Sequence, residues 1–335
     1  MADPVYDLTG KRVWVAGHRG MVGSAIVRRL ANEPIGELLT ASSDEVDLRR
    51  QEPTEAFVTD RRPDVVVLAA AKVGGIEANR TQQADFLYDN LMIAANVIEA
   101  ARRSGVERIA ILGSSCIYPR EAPQPIEEAS LLTGPLEPTN EGYAIAKIAA
   151  LELGKMYQRQ HGFDAISLMP TNLYGPNDNY DPVGSHVMAA LIRKVHEAKQ
   201  AGARSVQVWG TGRPRREFLH VDDLADATVV AMQRHAGEQH LNVGCGEDVS
   251  IRELAELICE VVGFDGDLLF DTSKPDGMPR KLLDISRLRD LGWEPRIALR
   301  EGIAHAYGWF VANASNLAES SPSPQAAGAP AVTRG

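Results

Sequence analysis

The sequence contains no hydrophobic run long enough to cross a membrane. Its longest uninterrupted apolar stretch, residues 65–71, is far shorter than the roughly 18 residues that a helical bilayer span requires. Residues 1–11 carry Asp3 and Asp7 and lack the apolar segment of a secretory signal. These absences predict a protein that does not bind membranes and that resides in the cytoplasm.

Cysteine and positive charge are also scarce. Cys116, Cys245 and Cys259 form no CxxC pair and no cluster with histidine at metal-binding spacing, so we expect neither a disulfide framework nor a bound metal. The 35 Lys and Arg residues are outnumbered by 45 Asp and Glu residues, which gives a formal net charge of −10. That charge opposes non-specific binding to nucleic acid. An anionic ligand would therefore have to be bound in a local basic pocket.

The composition that remains is that of a folded globular chain. Hydrophobic residues make up 44% and charged residues 24%, which excludes the disordered, collagen-like and coiled-coil classes. With 335 residues, and roughly 150 residues for an average domain, the chain is long enough for about two structural units. We expect one large α/β domain with a smaller partner.

Strand-like and helix-like segments alternate through the first half of the chain. Short apolar runs predict strands at residues 12–16, 37–41, 64–70, 108–113 and 165–169, and helical periodicity predicts helices at residues 21–32, 84–103 and 143–161. This alternation is typical of βαβ units. It predicts an α/β fold with a doubly wound parallel sheet.

The pattern changes near residue 170, where loops rich in Gly and Pro begin to interrupt shorter elements. We therefore predict a dinucleotide-binding domain over residues 1–170. A smaller C-terminal substrate-binding lobe is predicted over residues 171–314, with some segments returning to the sheet. Residues 315–335 are rich in Ala, Ser and Pro and poor in large apolar groups, so we predict a disordered tail there.

The first strand-to-helix junction is rich in glycine. It reads Gly17, His18, Arg19, Gly20, Met21, Val22 and Gly23. Glycines at such a junction permit a tight turn and let backbone amides approach a pyrophosphate at the N-terminus of the helix. An ordinary strand-to-helix turn is the alternative, because the spacing is GxxGxxG rather than GxGxxG. The position at the first βα junction favours a dinucleotide.

The residues that follow the second predicted strand indicate which dinucleotide is bound. An acidic residue there would bind the ribose 2′-hydroxyl of NAD, and a cation would bind the 2′-phosphate of NADP. Residues 40–44 read T-A-S-S-D, with no acid directly at the strand end, while Arg19 lies within the glycine loop. We therefore predict NADP(H) as the cofactor.

Three further residues suggest proton transfer next to that cofactor. Tyr143 and Lys147 are four residues apart and so share one face of a predicted helix, where an ammonium group favours the phenolate form of a nearby tyrosine. The YxxxK spacing alone is common in exposed helices. Ser114, however, lies at the end of a buried strand upstream, which is where ligands bind in such sheets.

Together these motifs resemble the extended short-chain dehydrogenase/reductase superfamily. Four longer strings are similar to the GDP-L-fucose synthase family. They are residues 15–24 (VAGHRGMVGS), 112–119 (LGSSCIYP), 137–140 (EPTN) and 169–176 (MPTNLYGP). The resemblance extends from about residue 11 to residue 310. It implies a Rossmann fold and an NADPH-dependent epimerase/reductase that converts GDP-4-keto-6-deoxy-D-mannose to GDP-L-fucose.

The resemblance also implies a role for each catalytic residue. Tyr143 would protonate the C4 oxygen during reduction, Ser114 would hydrogen-bond that oxygen, and Lys147 would hold the nicotinamide ribose. Cys116 and His186 would be the acid/base pair that inverts C3 and C5. That chemistry is reasonable in its own right, because the C4 ketone acidifies the protons on the two neighbouring carbons. Without the family strings, the thiol would more often be a small buried group and the imidazole a surface or capping residue.

The resemblance also implies a homodimer, formed by the helices that carry Tyr143 and Leu91. The ligand-binding residues that it implies form two sets. The cofactor set is Gly17, His18, Arg19, Gly20, Met21, Val22, Gly23, Ser43, Asp47, Leu48, Leu112, Gly113, Ser114, Ser115, Tyr143, Lys147, Pro170, Thr171, Asn172, Leu173 and His186. The substrate set is Lys194, Trp209, Arg216, Asp276 and Lys281.

Two details of the sequence bear on these expectations. Ser43 stands where the family often has an arginine, so Arg19 would carry most of the 2′-phosphate recognition, with Arg49 and Arg50 as candidates to compensate. Ser115 and Cys116 stand where related dehydratases carry an Asp-Glu pair, which disfavours dehydration. The alternatives left open are a single-function 4-reductase on the same GDP-sugar and a non-catalytic dinucleotide sensor.

Overall fold

The computed structural model describes residues 4–182, 184–274 and 276–319. The strands are β1 (Arg12–Ala16), β2 (Glu37–Leu39), β3 (Val65–Leu68), β4 (Arg108–Leu112), β5 (Asp164–Pro170), β6 (Asn172–Tyr174), β7 (Ser205–Trp209), β8 (Arg215–Arg216), β9 (Phe218–His220), β10 (Leu241–Val243), β11 (Val249–Ser250), β12 (Asp267–Asp271) and β13 (Arg280–Lys281). The α-helices are α1 (Met21–Leu30), α2 (Gln51–Arg61), α3 (Ile76–Thr81), α4 (Gln83–Arg103), α5 (Glu141–His161), α6 (Val187–Gln200), α7 (Val221–Arg234), α8 (Ile251–Val262), α9 (Ser286–Asp290) and α10 (Leu299–Glu319).

The centre of the molecule is a six-stranded parallel sheet with the strand order β10-β5-β4-β3-β1-β2. Along β3, Val65 and Val67 face one hydrophobic core, whereas Val66 and Leu68 face a second core on the other side of the sheet. Both faces must therefore be covered, as is usual for parallel sheets. The predicted doubly wound sheet is confirmed.

Helices cover the two faces in the manner that this pattern requires. On one face, α1 and α7 contribute Ile26 and Leu224 to the core beneath β1 and β3. On the other face, α4 and α5 pack along each other and contribute Ile98 and Ala150. The active-site tyrosine and lysine predicted above therefore lie on a helix that is packed firmly on the sheet.

The later part of the chain forms smaller sheets around a separate hydrophobic core. Strands β7 and β12 pair in parallel, β8 lies between β11 and β13, and β6 pairs with β9. Helices α6, α8 and α10 enclose the apolar side chains of this separate core. Two later elements belong to the large sheet instead: β10 pairs with β5, and α7 packs against one face of the sheet. The division near residue 170 itself stays a prediction.

The observed bounds follow the predicted ones closely, with differences at element ends. The second strand, predicted at residues 37–41, ends at Leu39, and the helix predicted from residue 143 begins at Glu141. Helix α10 runs to Glu319, so residues 315–319 of the predicted tail are helical. Residues 320–335 lie outside the described part of the chain. Among the described helices, none combines the length and apolar character needed to span a bilayer.

Candidate active site

The glycine loop between β1 and α1 is held in a shape that larger residues could not adopt. Gly17 has a φ of +89°, and a Cβ atom there would lie 2.6 Å from the backbone nitrogen of Ala70. A Cβ on Gly23 would lie 2.1 Å from the carbonyl oxygen of Gly17. Gly20 caps α1 without a side-chain hydrogen bond, so the N-terminus of the helix offers its amides to an external anion.

The same loop contains a buried polar atom that has no partner. Nδ1 of His18 is buried and makes no hydrogen bond in the described chain, which fits a ligand that would complete the loop. A pyrophosphate at α1 and a ribose near His18 would satisfy these groups. The residues present therefore fit NADP(H), the cofactor predicted from the sequence.

The region expected to bind the adenosine ribose has fewer free cations than the sequence suggested. Arg49 makes two hydrogen bonds to Asp47, at 2.9 and 3.0 Å, and lies 3.8 Å from Asp89. Its charge is therefore largely compensated, which weakens the expectation that it replaces the missing arginine at position 43. Arg19 remains as the cation of the loop. Its charge, after the hydrogen bonds from Ser42, helps to lower the pKa of Glu45.

The end of β4 brings the predicted serine and cysteine into direct contact. Ser114 begins a short 3₁₀ turn over residues 115–117, and its Oγ accepts the backbone N–H of Cys116 at 3.4 Å. The thiol of Cys116 also donates to Ser114 Oγ, with a sulfur to oxygen distance of 2.9 Å. A Cβ on Gly113, just before them, would lie 2.2 Å from Sδ of Met169, so the Met169 side chain would have to move.

Helix α5 places the tyrosine and the lysine beside that turn. Lys147 Nζ donates to the carbonyl oxygen of Leu112 at 2.8 Å and lies 5.7 Å from the centre of the Tyr143 ring. Burial raises the pKa of Tyr143, and a charge on Cys116 would raise it further. Burial lowers the pKa of Lys147 to about 8, whereas Cys116 opposes that shift. Cys116 is thus hydrogen-bonded to Ser114, and its charge affects the pKa values of Tyr143 and Lys147.

Residues 171–172, which follow β5, are hydrogen-bonded to the segment between β8 and β9. Thr171 Oγ1 and Asn172 Nδ2 both donate to the carbonyl oxygen of Glu217, at 3.3 and 2.8 Å. The carboxylate of Glu217 is fully buried and accepts the N–H groups of Gly246 and Leu283. One residue therefore connects the predicted cofactor segment to the strands that carry the predicted substrate cations.

His186 lies at the start of α6, in a loop that is packed against the segment after β3. The N–H of Gly75 donates to Gly184 at 2.8 Å, and a Cβ on Gly75 would lie 2.6 Å from the carbonyl oxygen of Ser185. Asn79 donates to the carbonyl oxygens on both sides of this contact, Gly74 and Gly75. His186 is an exposed residue, but nearby protein atoms partly desolvate its imidazole, and this desolvation lowers its pKa.

The predicted substrate cations meet on paired strands. Lys281 of β13 lies opposite Arg216 of β8, and burial lowers the pKa of both side chains. Negative charge on Cys116 and Glu137 offsets part of the lowering of the Lys281 pKa, so this lysine lies within electrostatic range of the turn that contains Cys116. Two neighbouring half-buried cations, for which the described residues provide no ion-pair partner, favour an anionic ligand.

Trp209 forms a separate part of the substrate-binding lobe. Its side chain is 59% exposed, and the ammonium groups of Lys194 and Lys274 lie 4.9 and 5.4 Å from its ring centre. Asp276 is occupied in holding the adjacent loop, because its carboxylate accepts the backbone N–H and the hydroxyl of Thr211. This predicted substrate residue therefore fixes the loop in the described structure.

Several residues at this site were not identified from the sequence. Glu137 is the first residue of the EPTN string, to which no role was assigned, and Lys274 begins the loop that ends at Lys281. Glu217 directly follows Arg216, a predicted substrate cation. Their proximity in sequence to predicted residues was the available signal, but the contacts that give them roles are long-range.

One group of side chains among the described residues has metal-binding geometry. It consists of His220, Asp222 and His305, whose ligand atoms lie within 4.8 Å of one another. Nδ1 of His220 accepts the backbone N–H of Asp222 at 3.1 Å, and its Nε2 lies 3.2 Å from Nδ1 of His305. The first bond places the proton of His220 on Nε2, so the second contact is a hydrogen bond between the two rings. These contacts favour a histidine pair over a metal site.

Comparison with known proteins agrees with this geometry. Residues 13–244 match the NAD dependent epimerase/dehydratase family. GDP-L-fucose synthase 1 of Arabidopsis thaliana is 57% identical over 305 residues, covering 91% of this chain and 94% of that protein. Two solved structures are also similar over nearly the whole chain.

The first of these structures is a GDP-L-fucose synthetase from Naegleria fowleri bound to NADP, with a TM-score of 0.86, 27% identity, and coverage of 95% of this chain and 98% of that one. The second is a GDP-6-OMe-4-keto-L-xylo-heptose reductase from C. jejuni, with a TM-score of 0.84, 35% identity, and coverage of 91% and 98%. The chain therefore belongs to the NAD dependent epimerase/dehydratase family, and within it to the group of the GDP-L-fucose synthases.

Proposed function

We propose that this enzyme converts GDP-4-keto-6-deoxy-D-mannose to GDP-L-fucose by epimerisation at C3 and C5 followed by NADPH-dependent reduction at C4. The observation that carries the proposal is the contact between Ser114 and Cys116 beside Tyr143 and Lys147. A reductase needs the serine, the tyrosine and the lysine. A thiol in the same place adds a group that can move protons next to the ketone.

The reduction uses side chains whose protonation is set by burial. Tyr143 has a raised pKa and so holds its proton until the C4 oxygen of the substrate accepts it. Lys147 is fixed by its hydrogen bond to Leu112 and keeps a positive charge below its pKa of about 8. NADPH, when bound, supplies the hydride to C4.

The epimerisation uses Cys116 and His186 as acid and base. Removal of a proton from C3 or C5 leaves an enolate whose negative charge is on the C4 oxygen, and return of a proton from the opposite side inverts the carbon. The lowered pKa of His186 keeps its ring neutral near pH 7, so that it can accept a proton. Which of the two groups serves each carbon is left to experiment.

The substrate is held through its charged and aromatic parts. Arg216 and Lys281 supply the cations for the diphosphate, and their burial makes the charge effective because little water screens it. Trp209 offers an exposed aromatic surface with Lys194 alongside it. We propose that these four residues bind the GDP moiety.

We further propose that the enzyme is a homodimer. Helices α4 and α5 expose four large apolar side chains, Tyr88, Leu91, Ile145 and Met156, with 55%, 38%, 41% and 44% of their surfaces exposed. A second copy of the same two helices would cover them in a four-helix arrangement. The cytoplasmic location expected from the sequence stays a prediction.

The deciding experiment combines two measurements on the NADP-bound enzyme. With GDP-4-keto-6-deoxy-D-mannose and NADPH, loss of the reduced nicotinamide absorbance should accompany formation of GDP-L-fucose, identified by NMR. In D₂O without NADPH, deuterium should enter C3 and C5. The variants Cys116→Ala and His186→Asn should lose inversion, while Cys245→Ala, which removes a thiol elsewhere, should retain it.

Each other outcome has a definite meaning. A product reduced at C4 but uninverted at C3 and C5 would identify a single-function 4-reductase, a role related to that in the name of the C. jejuni structure. Binding of NADPH without turnover of this or other 4-keto nucleotide sugars would contradict an enzymatic role and favour the dinucleotide sensor.

A further inference from the structure

The hydroxyl oxygen of Ser114 accepts two hydrogen bonds, and both come from Cys116. A serine hydroxyl can accept two hydrogen bonds and donate one. Both acceptances are made with the same neighbour, because the thiol and the backbone N–H of Cys116 donate to Ser114 Oγ at 2.9 and 3.4 Å. The single remaining O–H is thus free to be donated to an acceptor outside the pair.

That arrangement changes when the cysteine loses its proton. A thiolate has no hydrogen to donate, and it accepts hydrogen bonds strongly. Ser114 would then turn its O–H toward the sulfur, because the negative charge lies 2.9 Å away. In that state Ser114 has no hydrogen left for a substrate oxygen. The protonation of Cys116 therefore decides where the Ser114 hydrogen points.

We propose that Ser114 is a hydrogen-bond switch that couples proton removal by Cys116 to stabilisation of the enolate oxygen formed at C4. The proposal rests on the epimerase function proposed above. It assigns Ser114 to the epimerisation as well as to the reduction, for which the family resemblance already implies a role.

The step balances in atoms and electrons. The thiolate of Cys116 takes a proton from the carbon next to the ketone, so that the C–H bond breaks and an S–H bond forms. The electron pair of the C–H bond becomes the new carbon–carbon double bond, and the carbonyl π electrons move to the C4 oxygen. The new S–H donates to Ser114 Oγ, which releases the serine O–H to donate to that oxygen as its charge develops.

The surroundings of the pair support this coupling. Lys147 is buried beside the pair, within electrostatic range of Cys116. Tyr143 is held protonated by burial and stays available for the later reduction. Ser114 is then the group that responds directly to the state of the thiol.

A purely structural role is the alternative, because Ser114 also caps the 3₁₀ turn that contains Cys116. The two roles differ in what they do to the thiol. A cap alone would affect the stability of the turn, whereas a switch also donates to the thiolate and so favours the charged sulfur. The pH dependence of thiol reactivity separates them.

The first test measures alkylation of Cys116 by iodoacetamide in the NADP-bound enzyme across a pH series, with peptide-resolved mass spectrometry. In Ser114→Ala the midpoint should move upward by about one pH unit, since a thiolate that loses a hydrogen-bond donor forms less readily. Ser114→Thr keeps the hydroxyl and should leave the midpoint near that of the wild type. Cys245 in the same samples is the internal control and should be unchanged.

The second test measures deuterium exchange at C3 and C5 of GDP-4-keto-6-deoxy-D-mannose in D₂O, with NADP⁺ bound and no NADPH. Ser114→Ala should slow exchange by about a hundredfold, as expected when a donor to a developing oxyanion is removed, and Ser114→Thr should retain most of the rate. Exchange at the wild-type rate in Ser114→Ala, or an unmoved midpoint, would overturn the switch.

The outcomes also distinguish this inference from the function on which it rests. If Cys116→Ala itself exchanges at the wild-type rate, the cysteine is not the base and the proposed epimerase chemistry fails. If Cys116→Ala abolishes exchange while Ser114→Ala does not, the epimerase stands and only the switch is lost. A circular dichroism spectrum of each variant verifies that the fold is kept, and Ser114→Thr tests the hydroxyl if the alanine variant does not fold.

Discussion

Lys147 is a cation in a place where a positive charge is costly. It is only 8% exposed, and burial lowers its pKa from 10.5 to about 8. Below about pH 8 the lysine is charged in both the folded and the unfolded chain, and the folded state bears the full desolvation cost. Between about pH 8 and 10.5 the unfolded state binds more protons, so this group makes the protein more stable as the pH rises.

We therefore predict that Lys147→Met raises the free energy of unfolding at neutral pH by about 1–3 kcal/mol while abolishing reduction. The upper value is the pKa shift converted to energy, and the lower value allows for loss of the hydrogen bond to Leu112. Urea denaturation over a pH series is the measurement. The gain should shrink as the pH rises toward 10.5. Lys155→Met, on the same helix, is the control, and an equal gain there would contradict the explanation.

Tyr143 gives a prediction that separates the two half-reactions. Tyr143→Phe removes the proton that the C4 oxygen needs during hydride transfer, so the rate of reduction should fall by about 10²–10⁴-fold. Deuterium exchange at C3 and C5 should continue, because that step uses Cys116 and His186. Tyr157→Phe, on the same helix, should retain both activities. Loss of exchange together with reduction would show that the phenol also takes part in epimerisation.

At the scale of elements, the glycine loop between β1 and α1 is closely packed at one of its glycines and open at another. Gly20 and Gly23, the two later glycines of the loop, differ in the space around them. A Cβ on Gly23 would lie 2.1 Å from the carbonyl oxygen of Gly17, whereas a Cβ on Gly20 would have its nearest contact at 3.6 Å. Only a side chain at position 23 would therefore require the backbone to move.

We predict that Gly23→Ala lowers the free energy of unfolding by about 2 kcal/mol or more and weakens NADPH binding, because α1 must shift away from β1. Gly20→Ala should cost at most about 1 kcal/mol, the usual effect at a helix N-cap. Thermal unfolding with and without NADPH measures both effects. Equal losses in the two variants would mean that the close approach at Gly23 is relieved without strain.

The elements themselves could be read from the sequence because their signals are local. The strand at Arg12–Ala16 and the helix ending at His161 were predicted with the bounds that the structure shows at those ends. The predicted set of Ser114, Tyr143 and Lys147 also follows from short motifs whose context is a strand end and a helix face. Local periodicity and strand-end position were sufficient for these three residues, whereas Cys116 was predicted only from the family resemblance.

Other features depend on contacts between distant parts of the chain. Glu217 joins residues 171–172 to residues 246 and 283 through its backbone and its carboxylate, and no local pattern marks such a residue. The pairing of Lys281 with Arg216 likewise arises from two-residue strands that are too short to show periodicity. The sequence therefore suggested a basic substrate site but did not indicate how its parts are held.

At the scale of the whole molecule, the exposed apolar surface of α4 and α5 leads to a prediction about assembly. Replacing both Leu91 and Met156 with Glu should convert a dimer to a monomer, because two buried charges per copy would have no partners in the interface. Analytical ultracentrifugation measures the mass. The control is Val311→Glu, at an apolar residue of α10 that is slightly more exposed than Leu91 and Met156. A wild-type chain that sediments as a monomer would contradict the proposed interface.

The position of β10 has a consequence for how the chain is made. The strand Leu241–Val243 covers the edge of β5, whose residues after Asp164 are all buried, yet the two strands are separated by everything from β6 to α7. A ribosome exposes the finished β5 well before its neighbour exists. During that interval β5 pairs only with β4, and its other edge has no partner strand, which is the kind of edge that attracts other chains. Synthesis of this enzyme therefore includes a period of aggregation risk that ends only when the segment containing β10 emerges, and fragments truncated before residue 241 would carry that risk permanently.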